Sequence, residues 1–163
     1  YVKGGLDPDY TFDTPIAVVP LEQKGCEYVP RVLGVRVGQP IEVTNEDPTF
    51  HNVHAVSTIN QPFNHGQPMQ GSRERHVFTA PEVMVEFKCD VHRWMTAWIG
   101  VVAHPFFAVT GTDGSVRLEG LPPGTYTIEA WHETLGTKTA TVTVGPGQAQ
   151  LTSFTFTAAK TGK

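Results

Sequence analysis

Helical periodicity is nearly absent from this sequence. Short runs of Val, Ile, Thr and aromatic residues recur from end to end instead, cut every few positions by glycine or proline. Runs of that length suit strands, and the 16 glycines and 13 prolines supply the breaks that tight turns need and helix interiors reject. The expected fold class is therefore all-β, an antiparallel sandwich or barrel. Expected strands are Ile16 to Leu21, Tyr28 to Val37, Ile41 to Asn45, Asn52 to Val56, His76 to Thr79, Val83 to Cys89 and Ala97 to Val102. Between them lie "GQP", "NEDP" and the polar stretch "TINQPFNHGQPMQGSRE", which has no periodicity and reads as a long surface loop.

With 163 residues and 39% hydrophobic content, the chain can bury one core of ordinary size or two small ones. No segment approaches the roughly twenty apolar residues that cross a bilayer as a helix. The opening "YVKGGLDPDY" has neither the basic nor the apolar part of an export signal, and it starts inside what reads as a strand. An upstream segment, with any export signal on it, is expected to precede it. A net charge of −4 without any Lys/Arg run argues against nucleic acid, whose binding depends on clustered cations.

After "AHPF" the texture changes. "FFAVT", "SVRLEG", "TYTIEAWHE", "KTATVTV" and "LTSFTFTA" read as five strands, joined by compact turns such as "TDG" and "LPPG". This last third resembles the carboxypeptidase regulatory-like domain, a transthyretin-like sandwich, through its "DG…L.GLPPGTYTIEA" pattern. Five strands are fewer than such a sandwich has. The expected division is a first module over residues 11–105 and a second, smaller one over 106–163, to which residues 1–10 are expected to add a strand.

Two stretches of the first module carry the chemistry. "KCDVHRWM", residues 88–95, spaces a cysteine, a histidine and a methionine at intervals of three, and "FHNVH", residues 50–54, follows a strand and the turn "EDPT". A blue-copper site takes two imidazoles and a thiolate in one plane with a weak axial thioether, because soft sulfur favours Cu(I) while imidazole also holds Cu(II). His51, Cys89, His92 and Met95 make up that set. Each alone is more ordinarily structural; it is the joint spacing and context that point to a metal.

Here the sequence resembles the cupredoxins of the amicyanin and plastocyanin type, through "YVP" at 28–30, "VGQPIEVTNED" at 37–47, "HNVH" at 51–54 and "CDVHRWM" at 89–95. The resemblance implies a Greek-key β-sandwich, one copper ion and single-electron transfer. Its ligands would be His51, Cys89, His92 and Met95, with Asn52 steadying the ligand loops. Arg93 stands where amicyanin-like loops often carry proline, which implies a less rigid and more basic loop.

Cys26 has no counterpart in that pattern and keeps three readings: a buried thiol acting as a small hydrophobe, a disulfide partner of Cys89, or a second sulfur donor of an unusual or binuclear centre. His54 is read as a surface residue or a ligand of a second metal. His132 is a strand histidine or one that reaches toward the first module. His65, His76 and His104 are taken as structural or exposed, and Trp94 and Trp98 as packing under the ligand loop, with Trp94 alternatively lining an apolar docking patch.

No phosphate cradle, nucleophile elbow or placeable carboxylate pair is present, and Glu129 and Glu133 beside His132 suit a solvated strand face, so an enzyme is not expected. The leading reading is an electron-transfer protein with a type 1 copper, working with a redox partner protein such as a cytochrome or oxidoreductase in the periplasm or outside the cell. The alternatives are a copper carrier or sensor, and a metal-free interaction module stapled by a Cys26–Cys89 disulfide.

Overall fold

The computed structural model describes residues 1–158. Among them are twelve strands and no helix. In chain order these are β1 (Val2–Gly4), β2 (Val19–Gln23), β3 (Tyr28–Val29), β4 (Val32–Arg36), β5 (Pro40–Asn45), β6 (His51–Val56), β7 (Phe63–Gln67), β8 (Arg73–Val77), β9 (Glu82–Lys88), β10 (Thr96–Val102), β11 (Gly124–His132) and β12 (Gly136–Val144). The all-β expectation holds. The described residues form two compact units, one from Phe12–Pro105 and the other from Tyr1–Thr11 with residues 106–158.

The Phe12–Pro105 unit is a sandwich of a five-stranded sheet, β4-β10-β9-β6-β7, and a four-stranded sheet, β3-β2-β5-β8. β4 lies parallel to β10 and β2 parallel to β5, while the remaining pairs are antiparallel. Leu21, Ile41 and Val43 of the four-stranded sheet meet Val53, Ala55, Val85, Phe87, Ala97 and Ile99 of the five-stranded sheet in one buried cluster, closed by Phe78. Burying one such aromatic ring is worth roughly 1.5–3 kcal/mol, so the inward rows dominate the stability of this unit.

Those rows also set the site. Strand side chains alternate between faces, so Val53 and Ala55 place His51 on the inner face at the start of β6. Val85 and Phe87 continue to Cys89 just past the end of β9, and Ile99 and Ala97 run back to Met95 just before β10. Since β10, β9 and β6 are neighbours, three polar or soft side chains emerge at one end of the same core.

Several expected strands differ. Tyr28 to Val37 is broken at Pro30, which has no N–H for a ladder; β3 belongs to one sheet and β4 to the other. The Ile16 to Leu21 strand begins at Val19, and Ile16 itself is exposed. The expected loop through residues 58–74 contains β7 and the start of β8. Both are edge strands whose outward positions carry His65, Arg73 and Arg75, so apolar alternation does not betray them.

At the far end of β9 the buried Glu82 carboxylate gathers the turn after β6. It accepts from the Ser57 hydroxyl, from the N–H groups of Thr58 at 2.7 Å and Asn60 at 3.1 Å, and from Asn60 Nδ2 at 3.0 Å. Burial alone would raise this carboxyl, but the converging donors outweigh it and hold it at about 2.

The other unit contains a three-stranded sheet, β1-β11-β12, with nine paired positions from Gly124↔Val144 to His132↔Gly136. Lys3 Nζ meets Glu129 Oε2 at 2.6 Å across β1 and β11. Of the five strands expected after Phe106, the stretches "TYTIEAWHE" and "KTATVTV" form β11 and β12. "FFAVT", "SVRLEG" and "LTSFTFTA" form no strand among the described residues, and Val109, Val116 and Leu151 are exposed; strand-forming composition does not by itself supply a pairing strand.

Candidate metal centre

The turn "NEDPT" between β5 and β6 is built to deliver one carboxylate. Asn45 Nδ2 donates to the carbonyls of Thr49 at 2.8 Å and Gln67 at 3.0 Å, while its Oδ1 accepts the Asp47 N–H at 2.9 Å. Asp47 Oδ2 then lies 3.0 Å from His51 Nε2. A carboxylate there keeps the ring proton on Nε2, so Nδ1 presents its lone pair to the opposite side. On that side, His51 Nδ1 faces His92 Nδ1 at 3.0 Å.

The loop after β9 closes tightly. Met95 N–H donates to the His92 carbonyl at 2.9 Å and Cys89 N–H to the Met95 carbonyl at 3.2 Å. The His92 N–H points at Cys89 Sγ at 3.4 Å, and that sulfur lies 3.8 Å from His92 Nδ1. Cys89, Met95 and His51 are almost fully buried, and His92 is partly buried. Asp90, the residue after the cysteine, is fixed by Asn52, whose Oδ1 accepts the Asp90 N–H at 2.7 Å. Asn52 thus joins the start of β6 to the loop after β9.

Beneath this lies a buried polar layer. Gln23 Nε2 donates to Tyr28 Oη and to the Asn52 carbonyl, both at 3.1 Å, and Tyr28 Oη donates to the Asn52 carbonyl at 3.1 Å. The backbone beside His51 is thereby tied to β2 and β3.

Cys26 and Cys89 are both free, so the expected disulfide alternative is not formed. Cys26 sits in the turn between β2 and β3, and its sulfur, a ring nitrogen of His51 and a ring nitrogen of His92 all lie within 4.8 Å of one another. Cys89 is not a member of that mutual group; it approaches the pair from His92. Asp47 reaches Cys26 too, accepting the N–H of Gly25 at 2.7 Å and of Cys26 at 2.8 Å. Burial opposes the Asp47 charge, but these two amides and His51 outweigh it and lower its pKa below the ordinary carboxylate value.

The remaining candidates lie apart. His54 Nδ1 pairs with the Asp90 carboxylate at 3.0 Å on the outer face of β6. His132 belongs to the other unit, where its Nδ1 accepts the N–H of Thr134 at 3.2 Å in its own turn. His65 pairs with Glu74 at 2.8 Å. Trp94 is 66% exposed rather than packed under the ligand loop, because its indole Nε1–H reaches over the surface to the Cys26 carbonyl at 3.0 Å. Asp47 and this indole bond escaped the sequence reading; a carboxylate four residues before a candidate ligand was the available signal for the first.

Fold and side chains together define an all-β chain whose larger unit gathers two imidazoles and two thiols at one end of a sandwich. No family model matches the sequence, and no curated protein matches it. Among solved structures, the chain is similar to a copper-containing nitrite reductase from Thermus scotoductus SA-01, with 24% identity, a TM-score of 0.49, and coverage of 61% of this chain and 25% of that one. It is also similar to a purple cupredoxin from Nitrosopumilus maritimus, at 22% identity and TM-score 0.45, covering 52% of this chain and 99% of that one. An oxidised mutant of amicyanin gives 19% identity and TM-score 0.48, covering 55% and 92%.

Two imidazole nitrogens 3.0 Å apart, one fixed as a lone pair by Asp47, repel unless a proton or cation lies between them. A thiol sulfur 3.8 Å from His92 Nδ1 and a buried methionine at the same core end complete a soft and borderline donor set. These residues fit copper.

Proposed function

We propose that this chain is a copper-binding electron carrier. The single observation behind the reading is the facing pair of His51 and His92 nitrogens, with the Cys89 sulfur beside His92, at the buried end of the sandwich. His51, His92 and Cys89 would hold the ion and Met95 would be the weaker fourth donor. Copper, when bound, supplies a one-electron couple between Cu(I) and Cu(II).

The protein's own part is to hold the donors still and dry. Asp47 orients His51, Asn52 anchors the loop of Cys89, and the Gln23–Tyr28 layer fixes the backbone beneath. A site that changes little between oxidation states lowers the cost of moving an electron. The partly buried His92 and exposed Trp94 offer the short route to a redox partner protein. Four protein donors leave no open position for a substrate, which favours a carrier over an enzyme. A site outside the cytoplasm, in the periplasm or extracellular space, accords with this chemistry.

Addition of Cu(II) to the purified chain tests the reading. An intense visible band that disappears in Cys89→Ser is expected. A colourless protein that retains Cu(I) would instead establish a copper carrier, a second reading favoured by the nearness of another thiol, Cys26, to the imidazole pair.

A further inference from the structure

We propose that Cys26 is a second thiolate donor of the same centre, so that the ion is held by two anionic sulfurs as well as two imidazoles. This inference rests on the reading of the site as a copper centre. Cys26 lies 63 positions before Cys89 and in the turn between a different pair of strands, yet its sulfur lies within 4.8 Å of one ring nitrogen of His51 and one of His92. Metal–sulfur and metal–nitrogen bonds of about 2.3 and 2.0 Å allow two donors of one ion to stand roughly 3–4.3 Å apart, so a small closure brings all three onto one ion.

The placement of Cys26 is enforced from both segments that carry the imidazoles. Its N–H donates to Asp47 Oδ2 at 2.8 Å, the same oxygen that lies 3.0 Å from His51 Nε2. Its carbonyl accepts Trp94 Nε1 at 3.0 Å, two residues after His92. A shift of either imidazole segment therefore carries Cys26 with it. The Cys26 backbone also takes φ 55°, a left-handed conformation that a side-chain-bearing residue enters only when its surroundings require it.

A small hydrophobe would explain none of this. Apolar filling needs no sulfur next to two ring nitrogens, and Cys26 is only partly buried, at the margin of the core cluster. With two thiolates the site is softer than one with a single cysteine, and it takes Cu(I) with correspondingly higher affinity.

X-ray absorption on the intact chain loaded with Cu(I) without oxygen counts the thiolate sulfurs directly. Two short Cu–S contacts in the unaltered protein, falling to one in Cys26→Ser, are expected, with Cu(I) affinity reduced roughly tenfold or more against a competing chelator. One short contact in the unaltered protein, or a Cys26→Ser variant with unchanged sulfur count and affinity, overturns the inference. Failure of the copper reading itself looks different: Cys89→Ser would then leave copper binding and the Cu(II) spectrum untouched.

Discussion

Asp47 and His51 form the contact on which the centre turns: one carboxylate oxygen, 3.0 Å from His51 Nε2, also accepts the Cys26 N–H. A single side chain thus orients an imidazole and seats a thiol-bearing turn. Its replacement should affect metal affinity more than folding.

Asp47→Asn keeps the size and one acceptor but removes the charge that sets the His51 tautomer. Copper affinity should fall about 10–100-fold, the range seen when groups behind metal ligands are altered. Competition with a chelator measures it, and an unchanged affinity would show that His51 is oriented by other means.

Asn52→Ala removes three hydrogen bonds between β6 and its surroundings, including the 2.7 Å bond from the Asp90 N–H. Leaving such groups unsatisfied costs on the order of 1–3 kcal/mol. Urea unfolding of the metal-free chain should show that loss, and copper loading should recover only part of it.

The acid limb of stability should trace to Glu82. Its folded pKa of about 2 lies below the ordinary 4.5, so its contribution is present above the ordinary value and is lost as pH falls toward 2. Glu82→Gln should lower stability near neutral pH by as much as roughly 3 kcal/mol, and its deficit against the unaltered chain should shrink over that window. Denaturant midpoints measured from pH 6 to 2 decide this; a deficit independent of pH would mean that packing, not charge, is lost.

Trp94→Phe tests the indole bond to the Cys26 carbonyl. Because Trp94 is exposed, overall stability should change by no more than about 0.5 kcal/mol. Copper release, followed by stopped flow, should nevertheless accelerate, since one of the bonds that hold the Cys26 turn is gone.

The inner rows of the sandwich were legible from local pattern. Val53 and Ala55, Val85 and Phe87, and Ala97 and Ile99 alternate cleanly because both sheets bury those faces. The same alternation, carried one step further along each strand, reaches His51, Cys89 and Met95, which is why motif spacing could propose them. Arg73, Glu74 and Arg75 hid β8 because an edge strand has one unpaired side and needs few apolar residues. Val109, Val116 and Leu151 misled in the other direction, since strand propensity says nothing about whether a neighbouring strand is available. Cys26 stayed ambiguous because its relation to His51 is created by a turn and a carboxylate bond, neither of which has a sequence period.

The antiparallel register of β6 and β9, with His54 opposite Lys88 and Ala55 opposite Phe87, brings together residues more than thirty positions apart. Neither hairpin alone can assemble the donors, so an ion senses tertiary structure rather than local order. Capture of copper by a newly made chain would therefore mark the moment at which the two halves of the sheet have joined.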